Sequence, residues 1–131
     1  MRNGLVGNHD IAPTLADMGN APTPDFVDGR PVLLLAQGNV TTWPRTAILS
    51  ERETNLEAPP RWQVLRMRGE KYVRFENGEK EYYDLASDPY EVHSNPETVD
   101  QAIRDDWERR LGDLHRCKGI GCRAAENSSL P

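Results

Sequence analysis

Apolar side chains recur along this chain in two rhythms. Near the start, Ile11, Leu15 and Met18 stand at helical spacing within Asp10-Ile11-Ala12-Pro13-Thr14-Leu15-Ala16-Asp17-Met18-Gly19 and share one face of a helix of about two turns. Asp10 is placed to cap the free amides of its first turn, and Gly19 to take the left-handed position that stops it. Pro13 is tolerated there because the first turn has no earlier carbonyl waiting for its missing N–H. A helix this short is unstable in water by itself. Residues 19–31 hold three prolines and two glycines, including Pro22, Pro24 and Asp28-Gly29, and read as a turn-rich linker. Val32 to Leu35 is too short for periodicity to choose between a buried strand and a turn of helix. After Pro44, Ala47-Ile48-Leu49 predicts a short strand.

From Arg61 to Leu85 the rhythm changes to two. Trp62, Val64 and Arg66 fall on one face of a strand, Leu65 and Met67 on the other. Gly69-Glu70 connects tightly into Lys71–Phe75, Asn77-Gly78 is a hairpin signal, and Lys80–Leu85 returns antiparallel. The order predicts a β-meander in which Tyr72, Phe75, Tyr82 and Tyr83 supply cross-strand contact. A second helix follows Asp88-Pro89. Thr98 with Gln101 has the form of a capping box, and Asn95-Pro96 offers an alternative start. Val99, Ile103, Trp107, Leu111 and Leu114 form its apolar stripe. Arg104, Asp105, Glu108 and Arg109 form its wet side, with Asp105 and Arg109 spaced to pair. A bare hairpin sheet is marginal, so this helix should cover one face of the meander.

The chain has 131 residues, enough for one compact unit, and its 37% hydrophobic and 28% charged content is neither membrane-like nor plainly disordered. The longest apolar run, Val32–Ala36, is far too short to span a bilayer, and no secretion-signal pattern follows Met1. With 16 basic against 21 acidic residues, a net of −5, the chain lacks the clustered positive footprint of a nucleic-acid partner. Charge is unevenly spread. Residues 1–50 carry three basic and four acidic side chains, and the other 30 lie in 51–131. A loop-rich segment with so little charge is suited to lying against something larger.

Candidate chemistry is sparse. His9-Asp10 is either a metal ligand beside a carboxylate or a loop histidine before a helix cap, and His9, His93 and His115 show no metal-ligand spacing. The tyrosines and Phe75 read as packing residues rather than a stacking platform, because Glu70, Glu76, Glu79 and Glu81 interleave with the basic residues. Cys117 and Cys122 are separated by four residues and preceded by no βαβ pattern. Two thiols cannot hold a structural zinc alone, so a local disulfide is preferred over free thiols. Such a bond contributes about 2 kcal/mol, fastens the end of the last helix to the chain terminus, and implies an oxidising compartment. Asn127-Ser128-Ser129 has the form of a glycosylation acceptor. Ser50, Ser87, Ser94, Ser128 and Ser129 lie in no nucleophile elbow, and no glycine-rich phosphate loop is present. No catalytic residue, cofactor-binding residue or metal ligand is assigned.

Three stretches, taken in order, resemble the C-terminal part of the type I sulfatases, particularly the arylsulfatase-like and N-acetylglucosamine-6-sulfatase-like members. They are Asp10–Leu15 with Pro24–Arg30; Lys71-Tyr72-Val73 through Asn77-Gly78 to Glu81–Leu85 and Asp88–Glu91; and Leu111–Leu114 leading to Cys117 and Cys122-Arg123. The resemblance implies a sulfuric ester hydrolase of the alkaline phosphatase superfamily, with a formylglycine nucleophile made in a C/S-x-P-x-R motif and a calcium ion held by Asp and Asn. Neither cysteine here has proline two residues on, and Ser94-Asn95-Pro96-Glu97-Thr98 lacks the arginine. Calcium is therefore expected only in the complete parent enzyme, with no cofactor in this chain.

The implied fold is α+β, a small antiparallel meander covered by a C-terminal helix and preceded by a fragment of the edge of a larger α/β domain. Residues 1–38 would be that remnant, 39–123 the subdomain and 124–131 a disordered tail, with residue 1 deep in the parent sequence. The expected partner is the catalytic large domain, in a parent that is secreted or periplasmic. Alone, the chain is expected to be inactive. The alternatives are a free-standing binding module that uses the aromatic meander, or the complement of a separately encoded catalytic half.

Overall fold

A computed structural model describes residues 4–39, 42–52 and 60–128. A 3-10 turn at Asn8–Asp10 leads into α1 (Ile11–Met18), and α2 (Leu33–Gln37) follows the linker. Four strands come next: β1 (Ala47–Arg52), β2 (Trp62–Met67), β3 (Glu70–Phe75) and β4 (Lys80–Asp84). A 3-10 turn at Pro96–Thr98, α3 (Gln101–Arg116) and α4 (Ile120–Glu126) complete the described elements. No helix among the described residues is long and apolar enough to cross a membrane.

The strands form one antiparallel sheet in sequence order, β1-β2-β3-β4, so the fold is α+β with helices at both ends of the chain. Register sets the core. Leu49, Leu65, Tyr72 and Tyr82 lie opposite one another across the four strands, with Ala47 and Met67 beside them. The period of two puts all six on one face. Trp107, Leu111 and Leu114 of α3 close that face, and Tyr72, Leu65, Met67, Ala47 and Leu111 are fully buried. The Trp107 ring stacks on Tyr82 at 5.3 Å between centroids and tilts against Tyr72 at 5.2 Å. Polar bonds reinforce the seat: the Tyr72 hydroxyl (2.7 Å), Arg74 (2.6 Å) and Lys80 (2.8 Å) all reach the Glu108 carboxylate. Burial, and then the hydrogen bond to Glu108, push the Tyr72 hydroxyl well above its ordinary pKa.

Several local expectations are corrected. Asn77-Gly78 turns the β3–β4 hairpin, but only Gly78 takes positive φ (90°). Its N–H donates to Phe75 O and Phe75 N–H donates to Glu79 O, which makes a three-residue loop ending in a left-handed glycine. At the end of α1 the left-handed residue is Asn20 (φ 54°), while Gly19 has φ −88°. Val32–Leu35 enters a helix, α2, and no residue of it is buried. The chain turns at Asn95-Pro96, but the cap of α3 is Asp100, which accepts from Ala102 N–H (2.8 Å); Thr98 forms no capping box and instead bonds Asn95 O. Asp105 accepts from Gln101, while Arg109 pairs with Asp106 and Asp113. The disordered tail expected over 124–131 is corrected across 124–128. Residues to Glu126 are helical, Glu126 is buried, and Asn127 and Ser128 N–H bond back into α4.

Truncating Trp107 to Ala removes the ring that two tyrosines pack on and should cost about 3–5 kcal/mol of unfolding free energy. Ile103→Ala, on the same stripe but at the open edge, should cost less than about 1 kcal/mol. Urea unfolding of both variants measures the difference, and equal losses would mean that α3 is not seated through Trp107.

Candidate functional site

The densest polar constellation joins four distant parts of the chain. Asp10, at the entry to α1, is buried, and so are Arg30 in the linker, Arg45 before β1 and Glu126 in α4. Arg45 sends Nη1 and Nη2 to the two Asp10 oxygens (2.5 and 2.7 Å) and Nε to Glu126 Oε2 (2.8 Å). Arg30 donates from Nη2 to the same Glu126 oxygen (2.8 Å) and from its backbone N–H to Asp10 Oδ1 (2.9 Å). Gly7 N–H completes the Asp10 shell at 2.8 Å. The Asp10 side chain therefore reaches back to Gly7 and across to the arginines and does not cap α1, as its sequence position suggested. Arg30 and Arg45 also lie 5.8 and 5.9 Å from the Trp43 ring, at cation–π distance.

Two carboxylates thus meet two guanidiniums in a buried site, with His9 at the rim. His9 Nε2 lies 3.1 Å from Glu126 Oε1 and 3.2 Å from Arg45 Nη2, a donor contact and an acceptor contact that one neutral tautomer cannot satisfy together. Burial alone would raise the Asp10 pKa, but the bonds from Arg45, Arg30 N–H and Gly7 N–H outweigh it and hold the carboxyl at about 2. Glu126 is also lowered: burial opposes its charge, and the bond from His9 and the attraction of Arg45 prevail.

This arrangement is a clamp. A calcium ion requires several oxygens directed at one point. Here both oxygens of Asp10 and both of Glu126 face N–H donors, so the cluster does not fit that ion. Among the described residues no group of three or more His, Cys, Asp or Glu is placed to hold a metal. The histidines do not meet: His93 N–H bonds Asp88, and His115 Nδ1 bonds Glu51 (2.8 Å) far along the chain from His9. Of the serines, Ser87 bonds Asp84 and Ser94 accepts from Tyr82 N–H. Cys117 and Cys122 are disulfide-bonded, with Cα atoms 4.9 Å apart. Asn127 accepts from Arg30 (2.8 Å), and Ser129 of the acceptor triplet lies outside the described residues. A groove of about 660 Å³ runs between Gly4–His9 and Ile48–Glu51, with His9, Ser50 and Arg66 among its polar lining. His9 is engaged by Glu126, and Arg66 bonds the carbonyl of Glu70.

No family model matches this sequence. The extracellular sulfatase SULF-1 homolog of Drosophila melanogaster is 41% identical over a 59-residue alignment that covers 40% of this chain and 5% of that protein. Among solved structures, a protein in complex with its substrate D-glucosamine-2-N,6-O-disulfate superposes with a TM-score of 0.68 at 20% identity, over 90% of this chain and 24% of that one. A predicted sulfatase from Bacteroides thetaiotaomicron gives 0.63 at 21% identity, over 92% and 30%. The phosphonate monoester hydrolase of Agrobacterium radiobacter gives 0.61 at 26% identity, over 89% and 24%. Fold and weak sequence likeness together match the sulfatase and alkaline phosphatase superfamily. The chain spans one twentieth of the curated relative and at most 30% of these solved chains.

Arg45→Ala would leave two buried carboxylates without their shared counter-charge and should cost about 3–5 kcal/mol. Arg109→Ala, whose partners are on the wet side of α3, should leave the unfolding midpoint almost unchanged. Denaturant titration separates the two.

The depressed Asp10 pKa also predicts an acid limb. Its contribution is complete above pH about 4, the unfolded value, and is lost as pH falls through about 2, a drop of roughly 2 kcal/mol. Asp10→Asn should be less stable at neutral pH and should flatten that limb in melts taken between pH 5 and 2.

Proposed function

We propose that this chain is the C-terminal segment of a sulfatase-type sulfuric ester hydrolase, and that it acts as a subdomain seated against a larger catalytic body. The carrying observation is the asymmetry of the structural match: 90% of this chain is accounted for by 24% of a much larger protein. Residues 1–38 are read as the edge of the parent's α/β domain and 39–123 as the antiparallel subdomain. The pairs Asp10–Arg45 and Arg30–Glu126 cross between 1–38 and the rest of the chain and hold the two parts in fixed relation.

The surface supports the same reading. On α1, Ile11, Leu15 and Met18 share a face and are 60–62% exposed, and Phe26 in the linker is 80% exposed. An apolar face turned outward on the segment with the fewest charges suits packing against another body. Cleavage of a sulfate ester requires an activated nucleophile, a cationic or metal clamp on the sulfate oxygens and an acid for the leaving group. The formylglycine and calcium that supply the first two in sulfatases are assigned to the catalytic body. The disulfide supports an oxidising compartment for the parent.

Purified chain supplied with calcium and a chromogenic aryl sulfate should show no turnover. Adding the parent's catalytic body, prepared without this segment, should restore hydrolysis. Calcium-dependent turnover by the chain alone, surviving a contamination control, would overturn the proposal.

A further inference from the structure

We infer that the Cys117–Cys122 disulfide is a redox-sensitive latch: oxidised, it keeps α4 and residues 25–30 seated on the buried ion pairs, and reduction releases both while the sheet and α3 stay folded. The inference rests on local geometry and is independent of the hydrolase reading.

The bond spans the hinge between two helices. α3 ends at Arg116, α4 begins at Ile120, and only Cys117, Lys118 and Gly119 lie between them. Gly119 sits at φ 56°, ψ −131°, which glycine alone adopts readily, and a Cβ there would lie 2.1 Å from Asp25 O. The hinge backbone therefore touches the linker directly. Ile120 N–H donates to Asp25 O (2.8 Å), and Gly119 N–H donates to the Asp28 carboxylate. One turn on, Arg123 donates to Gly29 O and Val27 O, both at 2.9 Å, and its own carbonyl accepts from Arg30 (2.9 Å). Residues 25–30 are thus held mainly by the hinge and α4.

The helix that holds them has little stability of its own. It is seven residues long with Gly121 in its first turn, too short to persist without external support. Its support is the disulfide at one end and the Glu126 ion pairs at the other. The apolar core is a separate unit: Trp107, Leu111, Tyr72, Leu65 and Met67 pack without α4, apart from Ala125 at the margin. Two units with different supports open at different free energies.

The two sulfurs are unequally accessible, Cys122 being buried and Cys117 half-buried. A dithiol reductant attacks as thiolate at Cys117 Sγ, forms a mixed disulfide and expels the Cys122 thiolate. The second thiol of the reductant then displaces Cys117. Two electrons and two protons leave two protein thiols and one oxidised reductant. An oxidising compartment closes the latch and a reducing one opens it.

Amide hydrogen exchange of the full 131-residue chain, oxidised and in excess dithiothreitol, tests this. Reduction should accelerate exchange in residues 25–30 and 120–126 about 30-fold, the factor expected when so small a closed loop is opened. Amides of β2 and β3 should be unchanged, and Cys117→Ser/Cys122→Ser should reproduce the reduced pattern. Unchanged exchange in 25–30 and 120–126 would overturn the latch. So would equal acceleration across β2 and β3, which would make the bond a staple of the whole fold; the wild-type measurement decides even if the double variant does not fold.

Discussion

The bidentate grip of Arg45 on Asp10, extended by its third nitrogen to Glu126, is the constraint on which the chain's shape depends. It joins residues 35 and 81 positions apart, and Arg30 doubles the link to Glu126 from 96 positions away. A planar guanidinium with donors on two edges can serve two carboxylates at once; an ammonium at the same place could not match either geometry. The site is also close to all-or-none. Removing Arg45 leaves Asp10, and removing Glu126 leaves Arg30, as a buried charge without its ion partner, a state far more costly than the fully paired one. The start of α1, the linker, the lead-in to β1 and the end of α4 are therefore fixed together.

That clamp stands beside a second, unlike centre of stability. The sheet–α3 core is apolar and non-directional, built by burying aromatic and aliphatic surface. The clamp is polar and directional, and it contributes orientation more than net free energy. The two meet where Thr46, one residue before β1, donates its N–H and hydroxyl to Glu126 O. The core settles where the sheet is, and the clamp settles where the N-terminal segment lies relative to it. Because the clamp draws Asp10 inward, the opposite face of α1, with Ile11, Leu15 and Met18, is turned out.

The first of these centres was legible in the sequence and the second was not. The apolar and aromatic positions of β2–β4, the Asn77-Gly78 signal and the Trp107-Leu111-Leu114 stripe led to the meander and its covering helix, since burial of apolar residues leaves a trace in the pattern. A buried arginine leaves none. Residue type alone would put Arg30, Arg45 and Arg110 on the surface, yet all three are buried. One trace was present: residues 1–50 hold only seven charged side chains, and three of them, Asp10, Arg30 and Arg45, are the buried members of the clamp. The helix α4 was hidden for a related reason, because Ile120-Gly121-Cys122-Arg123-Ala124-Ala125-Glu126 forms through tertiary contacts rather than through propensity or a stripe.

The disposition of charge also bears on the functional reading. A site that binds or cleaves an anionic ester presents cationic donors with unfilled hydrogen-bonding capacity to a cavity. In this chain most donors of the clamp are directed inward: Arg45 is divided between two carboxylates and a backbone carbonyl, and Arg30 between Glu126, Asn127 and Arg123, while Arg30 Nε and Arg110 Nε and Nη1 are buried without a hydrogen-bond partner among the described residues. Lysine and arginine on the sheet are likewise engaged, Lys71 by Glu91 and Arg74 by Glu108. The cations shape the backbone, and the surface left over on α1 and the linker is apolar. A segment arranged in this way is consistent with the proposed role, in which it would hold its place in a larger hydrolase and the reacting groups would come from the body it rests on.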